Sequence, residues 1–371
     1  MKILIAGFAK IKYMPYMNFY LDNIDRKEHD VHILYWNRDL NEEDLTKYND
    51  CTLHEFKLYQ EDDTSKLSKV KAFLKYRKYA KSVINKESFD FIFILHSLPG
   101  VLLSNVLKRN YINKYIFDYR DSTYENFSIY KAVIGKLTSN SYSTFVSSDA
   151  FRRFLPKECK EKIFTTHNLL VDSLDHRNEK KDLGVSSDKI RIAYWGFIRD
   201  EKINKEIIKK ISNDNRFELH YYGREQEIAL NLKAFAKEIN ADNVYFHGEY
   251  KPEDRYEFVR KTDIIHNVFD DDNMMLAMGN KFYDGIIFRI PQLCIDKSFM
   301  ASKLIEEGVG LSCSPYDDEF CQRIYDYCHN LNIDKFDKCC DNALSNVLKE
   351  YYNGVDVIQS AFDECLNKND N

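Results

Sequence analysis

Ala277-Met278-Gly279-Asn280-Lys281-Phe282-Tyr283-Asp284-Gly285-Ile286, running on into Ile290-Pro291-Gln292-Leu293-Cys294-Ile295, is the stretch on which the reading of this chain turns. Gly279 and Asn280 read as a tight turn opening a short helix, and Ile290-Pro291 as the point where that helix stops and a buried strand begins. Lys281 and Asp284 are three residues apart, so they share one face near the helix start. Free backbone N–H groups and the positive end of the helix dipole gather there, and with an added lysine they suit a phosphate. A carboxylate one turn further on suits a pair of ribose hydroxyls. The pair together would hold a nucleoside diphosphate; the plainer reading is an i,i+3 ion pair on a solvated helix face.

A chain of 371 residues exceeds the roughly 250 to 300 at which one core stops growing, so two domains are expected. Hydrophobic residues at 44% and charged ones at 30% place it among soluble globular proteins, with 26 Tyr and 25 Phe that belong mostly in the cores. The net charge of −5, with acids and bases intermixed, argues against a nucleic-acid partner. The run Met1 to Gly7 is too short for a signal-peptide core and reads as a first strand. No segment approaches the roughly 18 apolar residues of a membrane span. Nine scattered cysteines, without C-x-x-C or His pairing, fit free thiols in a reducing cytoplasm and no structural zinc.

Short apolar runs then alternate with amphipathic ones, the pattern of a parallel sheet wrapped by helices. Expected strands are Ile3 to Phe8, Val31 to Trp36, Phe91 to His96, Tyr115 to Tyr119, Thr144 to Ser147 and Lys162 to Thr165. The turn after the first strand, Gly7-Phe8-Ala9-Lys10, has one glycine where a dinucleotide fingerprint needs three, which disfavours nicotinamide or flavin. Ser65 to Lys86 reads as a basic amphipathic helix, either covering the sheet with a solvated outer face or docking on an anionic leaflet. His96 and the cluster Asp118-Tyr119-Arg120-Asp121 stand at strand ends, where ligands of open parallel sheets bind.

The polar stretch from Leu169 to Lys189 reads as the linker. Beyond it, strands are expected at Ile190 to Trp195, Phe217 to Tyr222, Val244 to His247 and Ile264 to Val268. The first three end in Gly196, Gly223 and Gly248, and the fourth leads to the acidic run Asp270-Asp271-Asp272. Arg199, Lys202 and Lys281 would converge on a diphosphate at that edge. A helical region from Asp317 to Leu366, broken near Asn330 to Lys335, closes the chain before a polar tail. The domain division is thus 1–170, a linker 171–189, a second domain 190–352 and a last helix 353–371 that can return to the first domain.

This arrangement resembles the GT-B glycosyltransferases, especially the bacterial family-four-like enzymes that build capsule, O-antigen and other surface polysaccharides. Those enzymes read P-N-K-x-x-E-x-x-x-x-G-x-P at the donor site, and this chain has Gly279-Asn280-Lys281-Phe282-Tyr283-Asp284 with Pro291 at the matching distance. Asp118-Tyr119-Arg120-Asp121 is similar to the family's D-x-R-D segment. The resemblance implies an α/β fold of two Rossmann-like domains facing each other across a cleft. It implies donor contacts at Gly196, Gly223, Arg224, Glu249, Tyr250, Asn273, Asn280 and Asp284, and an acceptor side at Gly7, Phe8 and Arg120. Asp284 stands where the family has glutamate, and Leu276 where an E-x7-E motif places a first glutamate, with Asn273 or one of Asp270 to Asp272 as substitutes.

The expected reaction moves a sugar from a nucleotide-sugar donor to a saccharide or lipid-linked saccharide, with no cofactor and no metal. Arg199, Lys202 and Lys281 would stabilise the leaving diphosphate. The family implies retention of configuration, while inversion would require a base such as His96 or Asp121. The setting implied is the cytoplasm, at the inner face of the membrane if Ser65 to Lys86 docks there. A non-catalytic scaffold of the same shape and a nucleotide-sugar epimerase are the rival readings.

Overall fold

The computed structural model describes residues 1–60, 64–178, 189–251 and 254–369, with side chains through residue 367. Residues 179–188 of the expected linker, Pro252 and the last two tail residues lie outside them. The chain divides into two compact units, Met1–Asn168 with Lys349–Asn371, and Leu169–Leu348.

The first unit runs β1 (Lys2–Ala6), α1 (Met17–Leu21), β2 (Asp30–Asn37), β3 (Thr52–Lys57), α2 (Lys66–Glu87), β4 (Phe91–Leu95), α3 (Ser97–Asn110), β5 (Tyr115–Tyr119), α4 (Ser128–Asn140), β6 (Ser143–Val146) and β7 (Ile163–Thr165). Its strands pair in parallel in the order β3-β2-β1-β4-β5-β6-β7. Helices cover both faces of such a sheet, so its central strands are apolar throughout: Phe91-Ile92-Phe93-Ile94-Leu95 is wholly buried. β3 was not expected. Its Thr-Leu-His-Glu-Phe-Lys run forms the outer edge of the sheet, where polar side chains are tolerated and the apolar signal is lost.

The second unit runs β8 (Ile190–Trp195), α5 (Glu201–Ser212), β9 (Phe217–Tyr222), α6 (Glu227–Glu238), β10 (Val244–Gly248), α7 (Arg255–Val259), β11 (Ile264–Asn267), α8 (Asn280–Phe288), β12 (Gln292–Cys294), α9 (Phe299–Glu307), β13 (Gly310–Ser312), α10 (Phe320–His329) and α11 (Ile333–Asn369). Its parallel sheet has the order β10-β9-β8-β11-β12-β13. Strand order reverses between β1 and β4 in one sheet and between β8 and β11 in the other, the two places where an open parallel sheet leaves room for a ligand.

Leu169 to Arg177, expected as linker, is built into the second unit. Val171–His176 forms a 3-10 turn, Ser173 accepts a 2.6 Å hydrogen bond from Arg255, and the His176 ring stacks on Tyr256. Arg177 donates to the carbonyls of Ile286 and Ile287, closing the C-terminal end of α8. At the far end, the last helix enters the first unit after Leu348: Tyr351 packs on Phe19, and Phe362 on Phe91 and Phe93. Among the described residues no helix is long and apolar enough to cross a membrane.

Candidate functional site

The carboxyl ends of β8, β9 and β10 are fastened to one another by their glycine turns. Gly196 N–H donates to the Tyr222 carbonyl at 2.9 Å, and Gly223 N–H to that of Gly248 at 2.8 Å. Gly196 has φ +108, which an L side chain rarely adopts. A Cβ on Gly223 would stand 2.2 Å from the Gly196 carbonyl oxygen, so only glycine allows the turns to approach this closely.

The loop from Gly196 into α5 carries Arg199 and is held from below by Asn204, a fully buried amide on that helix. Its Nδ2 donates to the carbonyls of Arg199 at 2.8 Å and Asp200 at 3.1 Å. Its Oδ1 accepts from Tyr221 Oη at 2.8 Å and faces His266 Nε2 at 2.9 Å. His266 Nδ1 accepts from Val268 N–H, so Nε2 carries the proton and donates to Asn204. Burial holds this imidazole neutral, its pKa pushed down to about 3. All four hydrogen-bonding positions of the Asn204 amide are thereby used, and the Arg199 loop has one geometry.

Lys281 lies in the first turn of α8. Its stem is half-buried, and its amine sits 4.1 Å above the Tyr194 ring and 5.3 Å from that of Phe269, enclosed by both. Burial pushes its pKa down to about 7, and Arg199 pushes the same way. The Arg199 guanidinium meets the Met274 sulfur at 3.6 Å and the Phe197 ring at 5.5 Å. Among the described residues neither cation has a carboxylate within ion-pair distance, and Lys281 stands at the positive end of the α8 dipole.

Asp284 turns inward from the same helix and is 6% exposed. Its Oδ2 accepts from the Trp195 indole at 2.8 Å, and its Oδ1 lies 3.4 Å from Arg255. The ribose contact expected of it is therefore left only the lone pairs those partners do not use. Tyr250 packs edge-on against Phe258, with its hydroxyl pKa pushed up to about 12 by burial and then by Asp284. Asn273 belongs to a turn capped by the Asp271 carboxylate, and Asn280, Arg224 and Glu249 are exposed. Lys202 lies 5.9 Å from the Tyr316 ring. Asp200 has its carboxyl pushed up to about 6 by burial and by Asp271 and Asp270. Among the described residues no group of three His, Cys, Asp or Glu is placed to hold a metal ion.

Sequence reasoning missed His266, Asn204, Tyr194, Trp195 and Arg255. One signal was present: an asparagine at an inward position of a strongly amphipathic helix, next to Ile203 and Ile207, has no reason to be there unless it is bonded.

In the first unit, a cavity of about 320 Å³ lies at the ends of β1 and β4, lined by Phe8, Tyr16, Arg38, Phe73, His96 and Tyr124 among others. His96, at φ +82, accepts from Leu98 N–H on Nδ1, and its Nε2 is 3.6 Å from Asp121. Gly7 is pinned by Tyr76, whose hydroxyl donates to its carbonyl, and Phe8 packs against Trp36 and Tyr76. Arg120, expected on the acceptor side, is buried. It pairs with the fully buried Asp118 at 2.8 Å, donates to Asn168 and Thr166, and covers the Tyr16 ring. Burial raises the Asp118 carboxyl, and Arg120 opposes that rise.

No protein-family model and no curated protein matches the sequence. Solved structures do resemble it. Sucrose-phosphate synthase from Thermosynechococcus elongatus superposes with a TM-score of 0.70 at 12% identity over 99% of both chains. Anabaena HepE, solved with UDP and glucose, gives 0.66 at 14% over 97% of this chain and 100% of its own. The lipopolysaccharide outer core galactosyltransferase WaaB in its apo form gives 0.64 at 11% over 97% and 99%. The chain has the fold of the GT-B glycosyltransferases, an α/β fold with two Rossmann-like domains.

Proposed function

We propose that this chain is a glycosyltransferase that takes a sugar from a nucleotide-sugar donor and gives it to a saccharide or lipid-linked saccharide, in the cytoplasm, during surface polysaccharide synthesis. One observation carries the reading: Lys281, in the first turn of α8, is held over the Tyr194 ring with no carboxylate within ion-pair distance among the described residues, and the positive charge of Arg199 acts on it. Buried like charges stay in a fold at a cost, and an anion of two or more negative charges removes it. The likeness to HepE, which was solved with UDP and with UDP-glucose, supports a nucleoside diphosphate as that anion.

In the proposed step the acceptor hydroxyl oxygen bonds to the anomeric carbon, the bond from that carbon to the diphosphate oxygen breaks, and the acceptor proton is released. The leaving group gains negative charge as the bond lengthens. Lys281, Arg199 and the positive end of the α8 dipole would stabilise that charge. The charge comes from side chains, and we place no metal in the step. We favour retention of configuration; His96 with Asp121 would serve as the base in an inverting reaction.

A thermal-denaturation panel of UDP-, GDP- and dTDP-sugars tests the donor site. A donor at one hundred times its dissociation constant adds about 2.7 kcal/mol of stability. Incubation of the responding donor with and without saccharide acceptors, in the presence of a chelator, then separates transfer from epimerisation, with the anomer read by NMR. Absence of any response to nucleoside diphosphates, or a full response in Lys281→Ala, overturns the proposal.

A further inference from the structure

A cis diol such as that of a ribose offers a carboxylate two O–H donors, one for each oxygen. On Asp284 both oxygens already face donors of the protein itself. Trp195 Nε1 donates to Oδ2 at 2.8 Å, and Arg255 Nη1 stands 3.4 Å from Oδ1. The indole and the guanidinium thus take the parts that two sugar hydroxyls would play. Aspartate is also one methylene shorter than glutamate, which keeps this buried carboxylate back against the end of β8.

Both donors are fixed. Trp195 is the last residue of β8, buried, with its ring 5.4 Å from that of Phe258. Arg255 opens α7, and its Nη2 donates to Ser173 Oγ at 2.6 Å. Its guanidinium lies 5.3 Å from the Tyr256 ring and 5.9 Å from that of Phe288. Tyr256 in turn stacks on His176, so the turn Val171–His176 holds Arg255 through Ser173 and through Tyr256. A ligand hydroxyl that displaced Arg255 from Oδ1 would strand a guanidinium that is 12% exposed. A buried cation without its anion costs more than one hydroxyl–carboxylate bond returns.

Given Lys281 and Arg199 as the diphosphate site proposed above, we propose that the donor site does not read the ribose 2′-hydroxyl, so that 2′-deoxyribonucleoside diphosphate sugars bind as donors alongside their ribo counterparts. A site built to hydrogen-bond a substrate hydroxyl rejects the analogue lacking it, because its own polar groups are then left unpaired. Here the loss of the hydroxyl leaves Asp284 with the same two partners, Trp195 and Arg255.

Calorimetry of the native full chain with matched diphosphates tests this: UDP against dUDP, GDP against dGDP and ADP against dADP. For the base that binds, the deoxy member is expected to bind no more than about threefold more weakly than the ribo member. Asp284→Asn supplies a second measurement and should change the affinities of both members by the same factor. A carboxylate that held the diol would instead lose affinity for the ribo member alone. A larger preference for the ribo member, or a loss in Asp284→Asn confined to it, overturns the inference and leaves the donor site standing. Binding by no member of any pair overturns the donor site, and the inference with it.

Discussion

Replacing Lys281 by methionine should make the protein more stable and functionless at once. The folded amine has a pKa near 7 against 10.5 for the free side chain, a difference of about 3.5 units. At about 1.36 kcal/mol per unit, holding that proton costs the fold about 5 kcal/mol when both states are fully protonated. The sign follows from proton binding. Between about pH 7 and 10.5 the unfolded chain binds the proton and the folded one has released it, so native stability rises with pH across that window. Below pH 7 the full cost is present. Methionine removes the charge, keeps most of the packing and gives up the amine–ring contact over Tyr194, a loss of about 1–2 kcal/mol. The net gain is about 3 kcal/mol near pH 6, shrinking to nothing near pH 10. Urea denaturation of both proteins at the two pH values measures it, and calorimetry with UDP should show binding by the native chain alone. A variant that is less stable than native at pH 6, with an unchanged gap at pH 10, would refute the claim that an unneutralised buried cation is stored here for an anionic ligand.

The remaining substitutions test how that site is held. Asn204→Leu leaves His266 and Tyr221 without their acceptor and frees the Arg199 and Asp200 carbonyls, so stability should fall by about 2–4 kcal/mol and UDP affinity at least tenfold. Lost stability with native affinity would mean that the loop is positioned by something else. Asp284→Asn keeps the bond to Trp195 but leaves Arg255 without its anion, costing about 3 kcal/mol, with tryptophan emission reporting the change around Trp195. Gly223→Ala forces its turn away from Gly196 and should weaken nucleotide binding in calorimetry with a stability loss of about 1–3 kcal/mol. Arg120→Met strands the buried Asp118 carboxylate, so the first unit should lose about 3–5 kcal/mol in urea titrations while UDP binding persists.

Much of the architecture could be read from the chain because buried parallel strands are continuous apolar runs. Tyr115–Tyr119, Ile190–Trp195 and Phe217–Tyr222 match their expected bounds. β3 escaped notice because an edge strand need not be apolar, and Leu169 to Arg177 was taken for linker because its stabilising partners, Arg255 and the end of α8, come more than 70 residues later. The start of α8 with Lys281 was legible from the glycine turn and the stop at Pro291. What Lys281 and Asp284 face was not, since local spacing places a side chain on a helix side but does not say which strand ends close over it. Tyr194, Trp195 and Arg255 are distant in sequence and decide that outcome.

The passage of the last helix into the first unit sets an order of events during synthesis. Residues 169–348 are contiguous, so the second unit can complete its core while the chain is still being made. The first unit, although translated earlier, must wait for Tyr351 to cover Phe19 and for Phe362 to cover Phe91 and Phe93. Until that helix has emerged from the ribosome, those rings lie open, and a premature stop codon ahead of Phe362 would damage the part of the protein that was made first.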